Sequence, residues 1–169
     1  MNYDNFNDIE ALKIAINMEE EGLEFYSTLM KNAKEKWAKE IFSKLATEEK
    51  KHEETFKNAY REITSSSNAG QGYEDYTVSE YIKHLIDTGV FTQKGEAKRL
   101  LSQIKTEIDA LKIGIQAEKD AILYYYETAK HARNEAGKKA FEYLLNEEKK
   151  HLKLLAEQLK TLKKKSPGD

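Results

Sequence analysis

The pentapeptide Glu48-Glu49-Lys50-Lys51-His52 occurs a second time, unchanged, as Glu147-Glu148-Lys149-Lys150-His151, at an offset of 99 positions. Thirty residues before the second residue of each pentapeptide stands another glutamate, Glu19 in the first half and Glu118 in the second. The tetrapeptides ahead of these glutamates also repeat at the same offset: Ala11-Leu12-Lys13-Ile14 matches Ala110-Leu111-Lys112-Ile113. The chain is therefore an internal duplication, and each half carries a lone glutamate followed by a Glu-x-x-His quartet.

Composition restricts the fold and the function. The 169 residues contain no cysteine and one proline, Pro167, and strong helix formers dominate, which predicts an all-α fold. Without cysteine there are no disulfides, thiolate ligands or redox thiols. The formal net charge is only -2, which argues against a nucleic-acid-binding protein. No apolar stretch resembles a signal peptide or a membrane span, so we expect a cytoplasmic protein without a membrane partner.

Helix signals divide the chain into two hairpins. Long helices are predicted at about 8–31, 35–63, 106–130 and 134–163, the first opened by a capping box at residues 7–10. Short links join them pairwise, which gives antiparallel hairpins over about 8–63 and 106–163. The crossover 64–105 begins with a Ser- and Gly-rich loop and then holds one or two short helices, one capped at Thr77 and one within 95–104.

Two antiparallel hairpins joined by one long crossover describe the ferritin-like version of the four-helix bundle. We expect residues 1–165 to form this single domain and residues 166–169 to be a disordered tail.

Each long helix carries its apolar residues at alternating steps of three and four, the pattern of a helix packed in a bundle. In the first helix this predicted stripe comprises Ile9, Leu12, Ile16, Leu23, Tyr26 and Met30. In the first and third helices, Glu19 and Glu118 occupy positions on this stripe where an apolar residue is expected. In the second and fourth, each quartet places its glutamate and its histidine on the stripe, since residues three apart share a helix face. The predicted meeting point therefore contains six residues: Glu19, Glu49, His52, Glu118, Glu148 and His151.

Four ionised carboxylates in a dry core repel one another, and each loses several kcal/mol of hydration. Two bound cations would relieve both costs, whereas a metal-free bundle would need several protonated carboxylates at once. Oxygen and imidazole ligands without sulfur suit iron or manganese, with zinc or cobalt as other occupants. A single Glu-x-x-His on a charged helix is usually a solvated face. Two such quartets, each paired with a lone glutamate, form the set typical of di-iron and di-manganese bundles.

Other aromatic and histidine residues have weaker functional signals. Tyr26 and Tyr125 each follow a lone glutamate by seven residues, so they are either core aromatics or hydrogen-bond donors to a metal-bound carboxylate. His84 and His131 have no duplicate and are predicted to be surface histidines. Trp37 is predicted to pack at a helix start.

With these residues in view, the chain resembles a rubrerythrin-type member of the ferritin-like superfamily. The resemblance rests on residues 15–26, on Glu118 with Tyr125, and on the two Glu-x-x-His quartets. It implies two bound irons, with Glu49 and Glu148 as bridging carboxylates and the two histidines as terminal ligands on separate irons. It also implies that peroxide or dioxygen oxidises the ferrous pair and that a reductant restores it.

The chain departs from rubrerythrins proper in two ways. It lacks the four-cysteine, rubredoxin-like segment, so the electron donor is expected to be a separate protein, such as a rubredoxin or a reductase. Rubrerythrins also carry an extra glutamate one turn after the lone ligand of the third helix. Here that position is Ala121, and its duplicate is Gly22, and neither can bind a metal. The resulting six-ligand site argues against efficient peroxidase activity.

Several functions remain open on the sequence. The first is a di-iron peroxidase or ferroxidase, and the second is a non-catalytic protein that sequesters or delivers a metal ion. Mineral storage in a cage and tyrosyl radical chemistry have less support. We expect a homodimer, and the long crossover would permit exchange of hairpins between subunits.

Overall fold

Six helices account for nearly all of the residues that the computed structural model describes, which are 6–65 and 76–165. They are α1 (Asp8–Asn32), α2 (Lys36–Ser65), α3 (Tyr76–Thr88), α4 (Glu96–Leu101), α5 (Glu107–His131) and α6 (Glu135–Lys165). These described ranges contain no strand. The all-helical prediction is therefore confirmed, and each long helix lies within two residues of its expected bounds.

The four long helices form two hairpins, as predicted. Three residues connect α1 to α2 and three connect α5 to α6, and the partners in each pair pack along their length. The hairpins meet through α2 against α6 and through α1 against α5. The short crossover helices cover the α1–α5 side, because α4 packs against α1 and α3 packs against α5.

Polar side chains fix the helix beginnings. The Asn7 side chain accepts hydrogen bonds from the backbone N–H groups of residues 9 and 10, so Asn7 is confirmed as the N-cap within the predicted capping box of α1. Thr106 and Asp109 form a reciprocal capping box at α5. Helix α3 begins at Tyr76, so Thr77 lies inside its first turn; the prediction of Thr77 as the capping residue is wrong.

The predicted apolar stripes are buried throughout α2 and along α6 as far as Leu155. On α1 the predicted residues Ile9, Ile16 and Leu23 are only partly buried, whereas the neighbouring Met18 and Phe25 are buried. The crossover explains this difference. Its helices α3 and α4 pack on the α1–α5 side, so α1 buries a second line of residues there, which includes Met18 and Phe25.

Two predictions fall outside the described residues: the disordered tail at 166–169 and most of the Ser- and Gly-rich loop. The extent of the single domain also stays a prediction. Among the helices described, none combines the length and the apolar composition that spanning a membrane requires.

Candidate metal centre

The two Glu-x-x-His quartets meet in the middle of the bundle. Glu49 and His52 come from α2, and Glu148 and His151 come from α6. One ligand atom from each of the four lies within 4.8 Å of the others, and all four side chains are buried. As the three-residue spacing predicted, the glutamate and the histidine of each quartet lie on one helix face and reach the same point.

The lone glutamates complete the cluster from α1 and α5. Glu19 Oε2 lies 3.6 Å from His52 Nδ1, and Glu118 Oε2 lies 3.7 Å from His151 Nδ1. Both glutamates are buried, with exposed fractions of 2% and 3%. All six residues singled out in the sequence are thus brought together, one lone glutamate beside each histidine.

The quartet glutamates occupy the centre of this arrangement. Glu148 Oε1 is 2.9 Å from His52 Nδ1, and its Oε2 is 2.8 Å from His151 Nδ1. Glu49 likewise turns one oxygen to each histidine, at 3.7 Å and 3.3 Å. Each quartet carboxylate therefore faces both histidines, whereas each lone glutamate faces one.

Unpaired polar atoms show that the cluster fits cations. His52 Nδ1, His151 Nδ1 and both carboxylate oxygens of Glu148 are buried, and although each nitrogen lies 2.8–2.9 Å from one of these oxygens, none of the four atoms makes a contact with hydrogen-bond geometry. Buried polar atoms are normally paired, so a group of orphans aimed at one point indicates a missing partner. Carboxylate oxygens and imidazole nitrogens are ligands for first-row divalent metals, and bound ions would satisfy all of these atoms.

Electrostatics in the metal-free cluster holds protons on some groups and removes them from others. Burial, with repulsion from Glu148 and Glu49, raises the pKa of Glu118 to about 8 against the opposing contact with His151. Burial and the charge of Glu49 raise the pKa of Glu19 well above its usual range.

The pKa values of Glu49 and of the two histidines shift toward the charged form of each group. Burial alone would raise the pKa of Glu49, but its contacts with Glu19 and with both histidines hold it below its usual range. Burial would lower the pKa of His52 and of His151, yet the surrounding carboxylates outweigh burial and raise both. The metal-free cluster therefore pairs two imidazolium cations with two central carboxylates.

The two tyrosines connect the hairpins. The Tyr26 hydroxyl on α1 donates to Glu118 Oε1 on α5 at 2.5 Å, and Tyr125 on α5 donates to Glu19 on α1. Burial, together with the nearby carboxylate, raises the pKa of each phenol, so both stay neutral donors. The two tyrosines are therefore both core aromatics and hydrogen-bond donors to the lone glutamates, since each ring is packed in the core.

Comparison with protein-family models identifies the family of this chain. The family model described as Rubrerythrin matches residues 10–159, which is most of the chain. This chain belongs to the rubrerythrin family. The match spans both hairpins and the crossover, so it includes all six cluster residues.

A solved structure supports the assignment to the rubrerythrin family. The chain is similar to a candidate ferritin-like diiron-carboxylate protein from Thermotoga maritima, with 27% sequence identity and a TM-score of 0.63. The alignment covers 92% of this chain and 96% of that one. A search of curated proteins found no match. The ferritin-like fold is therefore confirmed, and the family and the cluster together indicate a di-metal site.

One residue in contact with this rubrerythrin-family site was missed in the sequence. Glu48 Oε2 lies 3.0 Å from His151 Nε2, on the side of the ring opposite the cluster. A carboxylate at this position orients a ligating imidazole. Its duplicate, Glu147, instead lies 2.6 Å from Lys150. The repeated Glu-Glu pair was the available signal, but only the packing of α2 on α6 distinguishes the two copies.

The remaining predictions concern residues outside the cluster. His84 is exposed, and His131 is partly exposed and lies 3.7 Å from Glu127, as expected of surface histidines. Trp37 is partly buried and packs against the core cluster at the beginning of α2, as predicted.

Proposed function

We propose that this chain is a di-iron oxidoreductase, a peroxidase or ferroxidase in which peroxide or dioxygen oxidises a ferrous pair. The observation that carries the proposal is the placement of Glu49 and Glu148, each with one oxygen toward each histidine, inside a buried cluster with orphaned ligand atoms. Such a set would hold two metal ions close together, and a bound ferrous pair would supply both electrons that one oxidant needs.

The chain's own residues have three tasks in this proposal. Glu19 with His52, and Glu118 with His151, would each hold one iron, and the central carboxylates Glu49 and Glu148 would contact both. The tyrosine hydroxyls fix the two lone glutamates from the opposite hairpin. The buried rings of Tyr26 and Tyr125 line the cavity beside the cluster and exclude bulk water. Manganese and zinc satisfy the same donors, and the inactivity of zinc toward oxidants makes it a useful control.

Electrons for turnover would come from a separate protein. The chain contains no cysteine, so it cannot carry the thiolate iron centre that serves this role in rubrerythrins proper. A rubredoxin or a reductase is the class of donor that the proposal requires.

The experiment is an anaerobic ferrous titration of metal-free protein, followed by addition of peroxide. We expect saturation at about two irons per chain and rapid growth of near-ultraviolet ferric absorption. Glu49→Gln should lose both, whereas Glu54→Gln, on the exposed face of the same helix, should keep both. Saturation at two irons without reaction would contradict the proposed activity, and no binding would contradict the metal site.

A non-catalytic metal-binding protein is the second candidate. Gly22 and Ala121 both line the cavity beside the cluster, so the extra glutamate of rubrerythrins proper has no counterpart there. This function predicts reversible iron binding and oxidation by peroxide no faster than by air. Comparing these two rates in one preparation separates the candidates.

The homodimer stays a prediction. Sedimentation or light scattering of the iron-loaded protein measures its mass in solution, and a monomeric mass would contradict it.

A further inference from the structure

The loop between α3 and α4 forms one wall of the cavity beside the metal cluster. This cavity offers about 20 Å³ to the centres of water-sized molecules, room for one or two waters. Glu19, Glu49, Glu118 and Glu148 line it, and neither cluster histidine does. The cavity therefore lies on the carboxylate side of the cluster, and Val90 and Phe91 of the loop line it as well.

The duplicated helices hold this loop from both sides. From α1, Asn17 Nδ2 donates to the Phe91 carbonyl at 3.1 Å, and Glu21 accepts from the N–H groups of Gly95 and Ala97, both at 2.7 Å. The residues of α5 at the same offset of 99 are Gln116 and Asp120.

On the α5 side, Asp120 Oδ2 accepts from the Val90 N–H at 2.9 Å. Gln116 Nε2 donates to Asp120 Oδ1 at 2.8 Å and so positions that carboxylate. The repeat thus provides two matching polar pairs, one on each side of the loop. Each pair lies two residues before and two residues after a lone glutamate of the cluster.

Phe91 is fixed in an unusual backbone conformation. Its φ of 66° lies in the left-handed region, which a bulky residue rarely adopts. The ring is buried, with 4% exposed, and lies 5.1 Å from the ring of Phe25. The hydrogen bonds to residues 90, 91, 95 and 97 hold the loop in this shape and keep the ring at the cavity.

We propose that Val90 and Phe91 limit the size of the ligand that reaches the metal pair. The site then takes molecules of two or three heavy atoms, such as dioxygen, hydrogen peroxide or formate, and excludes organic hydroperoxides and aromatic acids. The proposal rests on the proposed function only in that the cluster binds metal; it does not require turnover.

The test measures ligand binding to the cobalt-loaded protein by the visible absorption of Co²⁺, with formate as the small probe and benzoate as the large one. The wild type should bind formate and should bind benzoate at least about tenfold more weakly. Phe91→Gly keeps the left-handed backbone accessible and removes the ring. This variant should strengthen benzoate binding about tenfold or more and change formate binding less than about twofold.

Lys94→Ala, on the exposed part of the same loop, is the matched control and should change neither affinity. Val90→Ala removes less of the wall and should shift benzoate binding in the same direction, so it tests the proposal if Phe91→Gly is unstable. Benzoate that binds the wild type as tightly as formate would overturn the size limit while leaving the metal site intact. Cobalt that produces no absorption bands would overturn the proposed function and this inference with it.

Discussion

Loading the cluster with two divalent metal ions at neutral pH should release about four protons per chain. In the metal-free protein, burial and neighbouring charges raise the pKa of Glu118 to about 8 and raise the pKa of Glu19. The surrounding carboxylates raise the pKa of His52 and of His151 in spite of burial. Each of these shifts favours the protonated form of its group, and all four groups must lose their protons to bind metal.

The net charge of the buried cluster agrees with the release of four protons. Without metal, two imidazolium groups offset the ionised Glu49 and Glu148, whose pKa values lie below the usual range. With metal, four carboxylates offset two divalent ions, so the cluster is neutral in both states. Each released proton makes loading more favourable by about 1.4 kcal/mol per pH unit. The affinity should therefore rise with pH, less steeply once the pH passes the Glu118 pKa of about 8.

The assay is calorimetric titration with Zn²⁺ in two buffers of different ionisation enthalpy, which counts the protons directly. Glu19→Gln has no carboxyl proton to lose and should release about one proton fewer. Glu20→Gln, its exposed neighbour, should release as many as the wild type. Release of one proton or none on loading both metals would refute the reasoning, because the cluster would then already be deprotonated.

Three further predictions follow from the packing, each tested by urea unfolding and metal titration. Tyr26→Phe leaves a buried carboxylate without its donor and should weaken metal binding about 10- to 100-fold. The control Tyr124→Phe loses a hydrogen bond to a backbone carbonyl outside the cluster, so it should lower stability by about 1 kcal/mol and keep the metal affinity. An equal loss of metal affinity in the Tyr26 and Tyr124 variants would contradict the role given to Tyr26. Gly22→Ala should stabilise the protein by about 0.5–1 kcal/mol, since the added Cβ would lie no closer than 3.5 Å to its neighbours. Gly114→Ala should destabilise it, because its Cβ would lie 3.0 Å from the Tyr26 hydroxyl. A stability change of the same sign in both variants would be inconsistent with these distances. Asp8→Ala removes the acceptor for the N–H groups of residues 133 and 134 and should cost about 1–2 kcal/mol of stability, with metal affinity unchanged.

The duplication made the fold and the site predictable to an unusual degree. The repeated stripes placed Glu49, His52, Glu148 and His151 on inner helix faces, and the structure brings them within 4.8 Å. This inference succeeded because helical periodicity is local, so a residue's face can be read from its spacing to its neighbours. The same reasoning was incomplete for α1, where the buried stripe is wider than the periodic pattern indicates.

Contacts between distant segments depended on the packing instead. The sequence could place Tyr26 on an inner face, but only the tertiary structure shows that its hydroxyl reaches Glu118, 92 residues away in the opposite hairpin. Glu48 and Glu147 are identical in local sequence, yet only Glu48 contacts a cluster histidine.

By itself, the sequence determined the helices, their two hairpins and the six side chains turned toward one point, because helix formation and amphipathicity depend on residues within a few turns of each other. The tertiary structure decided which hairpin supplies each hydrogen bond and how the α3–α4 loop closes the cavity. In both cases the contacting residues are far apart along the chain, so the contact depends on how whole helices pack. The local sequence of either segment does not specify it.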